Sequence, residues 1–269
     1  MKRTVINSLF VATGAVMAMC ATAAINQKST VAYAADTTAS IKVGNTSYST
    51  LSAAVDAAGK NSTVTIGAGT LTIDKTITAT TISLNFIGDC TILPNAGIGV
   101  MFSATSFTSV VNQGATLTVG YADAITQNAA FLNVNQGSVS MTGKTTIQNL
   151  TGSQAMVTLI ANNSSTLKMD NIHFYNCAGD QGGALCVDNI KNAVTINACS
   201  FEKCSAKEGG AVYFKSHNGN GNSLTVSSTT FEECSANNGG AIYTTGDHTT
   251  VSLSNYVFEG NTATNDGGA

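Results

Sequence analysis

From residue 63 onward the chain alternates apolar and polar positions in short runs, the period-two pattern of strands with one buried face. The clearest runs are Leu167-Lys-Met169, Val194-Thr-Ile196, Leu224-Thr-Val226 and Val251-Ser-Leu253, each seven residues ahead of a phenylalanine. Those phenylalanines, Phe174, Phe201, Phe231 and Phe258, open FYNC, FEKC, FEEC and FEGN and recur at steps of 27, 30 and 27 residues. A Gly-Gly-Ala follows each by eight or nine residues, beginning at Gly182, Gly209, Gly239 and Gly267. The longer step has one source, a gap holding Lys215-Ser-His-Asn-Gly-Asn-Gly-Asn222, which reads as a surface loop growing outward from a constant frame.

A unit of this length with several short strands and no helical period cannot close a core alone. Stacked copies can, because each strand then pairs with its counterpart ~4.8 Å away. The pattern therefore predicts an all-β fold, a parallel β-helix, with equivalent side chains forming ladders along the axis. The phenylalanines become a buried stack. Cys177, Cys204, Cys234 and Asn261 become a corner ladder, and each glycine pair turns the chain by positive φ or by close backbone approach.

Upstream the copies weaken. Leu117-Thr-Val119 precedes Ile125-Thr-Gln-Asn128, and Val139-Ser-Met141 precedes Ile147-Gln-Asn149, as further copies of the strand and phenylalanine elements. Val64-Thr-Ile66, Leu71-Thr-Ile73 and Ile82-Ser-Leu84 read as short strands, whereas 95–111 has no assignable register. An open β-helix end recruits other chains unless covered. Leu51, Ala54, Val55 and Ala58 fall on one helical face between a Thr50 N-cap and a Gly59 stop, which predicts a short N-terminal capping helix within an entry segment at 35–62. The β-helix then runs from 63 to 269, with clear repeats over 167–269, and a chain stopping inside a repeat at Ala269 is expected to be a fragment.

The first 34 residues change the picture. Met1-Lys-Arg3, the apolar run from Leu9 to Ala24 and Ala32-Tyr-Ala34 have the three regions of a secretory signal peptide. Met19 before Cys20 is unsuited to lipidation. Cleavage after Ala34 leaves nine lysines, no arginine and fifteen acids, a net charge of about −6. That balance gives no nucleic-acid surface, which needs clustered cations.

Candidate chemistry is sparse. One adjacent pair among Cys177, Cys204 and Cys234 can form a disulfide after export, and a buried free-thiol ladder fits equally well. Cys90, Cys186 and Cys199 have no evident partner, and no Cys or His pair has zinc-site spacing. His173 alternates with inward residues and is expected to face solvent. His217 and His248, with Asp247, sit in equivalent loops and are expected to be solvated. Asp170, Asp180 and Asp188 are the nearest approach to a carboxylate cluster, with Asp170 after a strand and the others at turns. Without arginine the common lyase machinery cannot be assembled. No catalytic, cofactor-binding or metal residue is assigned, and no enzyme activity is expected.

Gly-Gly-Ala followed by Leu185, Val212 or Ile242, paired with Phe-x-x-Asn, resembles the repeat of the chlamydial-type polymorphic outer membrane proteins. The resemblance covers roughly the last hundred residues. Tyr48-Ser-Thr-Leu-Ser-Ala-Ala-Val-Asp-Ala-Ala58 is similar to the entry segment of pectate-lyase-like β-helices. It implies a right-handed parallel β-helix passenger, secreted and displayed on a bacterial surface, acting as an adhesin toward a host-cell protein or glycan. Only Phe258-Glu-Gly-Asn261 keeps the family asparagine, and the family's autotransporter barrel, the expected means of membrane association, is not in this sequence. A polysaccharide lyase or hydrolase and an inert stalk or antigenic shield are the alternative readings.

Overall fold

The computed structural model of the chain describes residues 38–268 apart from 124–126, 162–164, 192 and 218–220. The signal peptide expected at 1–34 lies outside the described residues, as does Ile125. The described chain is nearly all strand around a single helix, α1, Leu51–Ala58. Parallel strands stack into a β-solenoid of about seven turns.

Three inward-facing columns build its core. One runs Leu71, Ile92, Val119, Ile147, Phe174, Phe201, Phe231 and Phe258, each residue registered on the next. A second runs Ile82, Phe107, Val139, Leu167, Val194, Leu224 and Val251. The third runs Ile77, Phe102, Leu132, Val157, Leu185, Val212 and Ile242. The phenylalanine rings stack almost parallel, with centroids 5.2, 4.8 and 4.8 Å apart. Phe174, Phe201 and Phe231 are fully buried, each contributing about 1.5–3 kcal/mol of apolar burial.

The first column corrects one sequence expectation. Leu117–Val119 belongs to the phenylalanine column, beneath Ile147, not to the strand that precedes it. Phe107-Thr-Ser109 holds that preceding place, beneath Val139-Ser-Met141. Leu117-Thr-Val119 reads apolar-polar-apolar whereas Phe107-Thr-Ser109 puts serine at its second inward place, so alternation alone picks the wrong one of the two. Most of the unassigned stretch is the long strand Val100–Val111, whose Phe102 and Phe107 pack edge-on against Phe131 at 5.4 and 5.8 Å and tilted against each other at 5.7 Å.

The lid is as the apolar spacing predicts. Leu51, Ala54, Val55 and Ala58 are buried, Thr50 Oγ1 accepts from Ala53 N–H at 3.2 Å, and Gly59 takes φ 57°. Beside α1, Ile41–Val43 pairs antiparallel with Thr46–Tyr48 and with Val64–Ile66, so the first coil does not present a bare parallel edge there.

The two glycines of each pair do different work. Gly182, Gly209, Gly239 and Gly267 have φ between 61 and 69°, the left-handed region. The second glycines take no such φ. A Cβ on Gly183, Gly210 or Gly240 would instead overlap the carbonyl oxygen of Gly210, Gly240 or Gly268 in the next coil. A second corner, two residues after the first column, is left-handed in five successive coils: Asn149, Asn176, Lys203, Glu233 and Gly260.

Candidate functional site

The corner after each phenylalanine holds the cysteine ladder. Cys177, Cys204 and Cys234 are fully buried free thiols, beneath Asn261 and above Leu150. Each thiol donates to a backbone carbonyl one coil below: Cys177 to Ile147 at 3.4 Å, Cys204 to Phe174 at 3.9 Å, Cys234 to Phe201 at 3.5 Å. Asn261 does the same with its amide, donating to the Phe231 carbonyl at 2.8 Å and accepting from the Cys234 N–H at 2.9 Å. Cysteine thus substitutes for the amide as donor to that carbonyl as well as in position.

This environment suppresses thiolate at Cys204 and Cys234. Burial drives the Cys204 thiol well up, and the hydrogen bond to Cys204, then burial, does so for Cys234. Burial also pushes Cys90, Cys186 and Cys199 to about 12. A nucleophilic cysteine needs the opposite shift.

The aspartates do not converge. Asp170 lies within the strand Leu167–Ala178 and accepts from Asn197 Nδ2 at 2.8 Å. Asp188 lies within Leu185–Ile190, not at a turn, and pairs with Lys215 at 3.1 Å. Asp180 is the turn residue among them and pairs with Lys207 at 3.0 Å. Each carboxylate is tied to a neighbour in the next coil, on a different stretch of the corner or wall. A carboxylate pair for general acid–base work needs two of them facing one cleft.

His173 alternates with buried Ile172 and Phe174 as expected, but its outward face is partly covered by neighbours. It is half-buried, its Nδ1 hydrogen-bonds to Ser200 Oγ at 2.5 Å, and its ring stacks on Tyr175. Burial lowers its pKa below the usual histidine value, against the pull of Glu202 and Glu232. His217 bonds Asn189 one coil below at 2.7 Å, and His248 is exposed at φ 54°. Among the described residues no group of three or more His, Cys, Asp or Glu could hold a metal ion, and no helix is long and apolar enough to cross a membrane.

Two features escaped the sequence reading. One is a half-open cleft of about 630 Å³ between the first turn of α1 and the rim Leu71–Lys75, lined also by Asp56 and Asn95. The other is the outer wall over the second core column. There Ser83, Thr108, Ser140, Lys168, Thr195, Thr225 and Ser252 are registered one upon the next. Flanking hydroxyls bond along the axis, Thr166 Oγ1 to Ser138 Oγ at 3.0 Å and Ser227 Oγ to Asn197 Oδ1 at 2.7 Å. The signal was present as the polar member of each apolar-polar-apolar run, but its significance needs the register. No family model, curated protein or solved structure matches the chain.

Proposed function

We propose that the chain is a secreted, surface-displayed β-helix passenger of the polymorphic outer membrane protein type, an adhesin-like scaffold for a host-cell surface protein or glycan. The observation that carries the reading is the hydroxyl wall. It is a long, nearly uncharged array whose donors and acceptors repeat every ~4.8 Å, interrupted by Lys168, by its neighbour Asp170 and, in the Asp170 row, by Val110. Repetition turns individually weak contacts into avidity when the partner is itself repeated or abundant. The motif residues support the same reading from the other side. Phenylalanine, cysteine and glycine are consumed in stacking, carbonyl capping and turning, which leaves the wall to meet a partner.

The test is retention of the chain from residue 35 onward on host cells and on glycan arrays, beside Thr195→Glu/Thr225→Glu. The scaffold reading expects retention by the parent and at least a tenfold loss by the variant, with unchanged circular dichroism. Absence of retention by the parent would instead make the solenoid a passive stalk or shield.

A further inference from the structure

The cysteine ladder has an odd number of thiols and closed ends. Leu150 lies below Cys177 and Asn261 above Cys234, and neither can enter a disulfide. Parallel bridges link the next residues, Ala178 to Ser205 and Ser205 to Ser235. Neighbouring cysteines therefore stand about one strand spacing apart, ~4.8 Å, inside the Cα separation a disulfide accepts. Cys204 is the middle rung, with Cys177 one coil below and Cys234 one coil above. All three are sealed from solvent in the closed coil, so a soluble oxidant has no path to them.

We propose that the ladder is a folding-gated redox latch: Cys204 takes one disulfide, to Cys177 or to Cys234, only while the coils are open, and closure seals in whichever state it holds. The oxidant is a disulfide-bearing molecule, small or protein. A ladder thiolate attacks it, giving a mixed disulfide, and a neighbouring ladder thiol resolves that bond. One S–S bond forms in the protein and one breaks in the oxidant, which leaves as two thiols carrying both protons and the electron pair. In the open chain the thiols ionise at ordinary values near ~8.5. In the closed coil burial drives the Cys204 thiol well up, and the hydrogen bond to Cys204, then burial, does so for Cys234. The latch is independent of whether the outer wall binds anything.

The experiment compares two samples of the chain from residue 35 onward by intact mass and peptide mapping. One is refolded in reductant and then exposed to oxidised glutathione; the other is refolded in a glutathione redox buffer. The latch expects no loss of mass in the ladder peptides of the first sample. It expects a 2 Da loss in the second, with Cys204 in every ladder disulfide and both pairings recovered. Cys204→Ser should abolish the ladder disulfide, whereas Cys177→Ser and Cys234→Ser should each leave one, all checked for a native β spectrum. Oxidation of the ladder at equal rates in both samples, a Cys177–Cys234 bond, or no ladder disulfide after oxidative refolding would each overturn the proposal.

Discussion

Asn261 and Cys234 are joined across one coil by an amide that accepts the Cys234 N–H at 2.9 Å while its other end donates to the Phe231 carbonyl at 2.8 Å. Both backbone groups lie at a corner where the strand ladder is interrupted. Asn261→Ala leaves them without that partner and is expected to cost about 1–3 kcal/mol. Asn261→Cys should recover part of the loss, because the three coils below use a thiol at that place. Amide exchange at Cys234 reads the effect directly, and equal protection in the parent and Asn261→Ala would refute the role.

Gly210 is limited by space, since a Cβ there overlaps the Gly240 carbonyl and crowds Ser235 backbone. Gly210→Ala is expected to destabilise by more than about 3 kcal/mol, or to prevent folding. Gly44→Ala is the contrasting control: its φ is 57° but its Cβ meets nothing within 4 Å. It should cost only about 1–2 kcal/mol, the price of the left-handed backbone. Urea midpoints of the two variants decide the ranking.

Ser109 faces inward in a column shared with Leu84, Met141, Met169 and Ile196, and its hydroxyl has no partner among the described residues. Ser109→Ala removes a buried donor left unsatisfied and is expected to stabilise the chain by about 1 kcal/mol. A lower urea midpoint in the variant would show that the hydroxyl is satisfied.

The buried thiols set an alkaline limit. Cys186 and Cys199 are pushed up to about 12 when folded, whereas unfolded thiols ionise near ~8.5. The folded state then holds protons that the unfolded state releases. Their contribution is complete below ~8.5 and is lost as pH rises toward the folded value, at about 1.4 kcal/mol per pH unit per thiol. Urea midpoints should fall steeply between about pH 9 and 11, and less steeply in Cys186→Ala/Cys199→Ala, where Cys90, Cys204 and Cys234 keep the remaining dependence. A flat profile in the parent would mean these thiols reach water.

How much of this was legible depended on side-chain identity recurring along with spacing. Phe174, Phe201, Phe231 and Phe258 announced their column because the same ring returned every coil, and the lid was legible because Thr50 and Gly59 bracket one apolar face. Leu71, Ile92, Val119 and Ile147 continue the phenylalanine column, but any apolar residue fills that place, so Leu117–Val119 was set in the wrong column. The left-handed corner at Asn149, Asn176, Lys203, Glu233 and Gly260 was hidden for a related reason. Tertiary pairing imposes that backbone on lysine and glutamate, whose identities do not advertise it. The hydroxyl wall stayed invisible because solvent-facing serine and threonine are unremarkable until the register aligns them.

The central claim is that the motif residues are rungs of one parallel coil. Spin labels on the outward-facing Thr108 and Ser252 test it most directly, since five registered steps separate them. Pulsed electron resonance on the folded chain should give a single distance near ~24 Å, five strand spacings, widened by a few ångströms of label. A broad distribution, or a distance beyond about 40 Å, would contradict the coil.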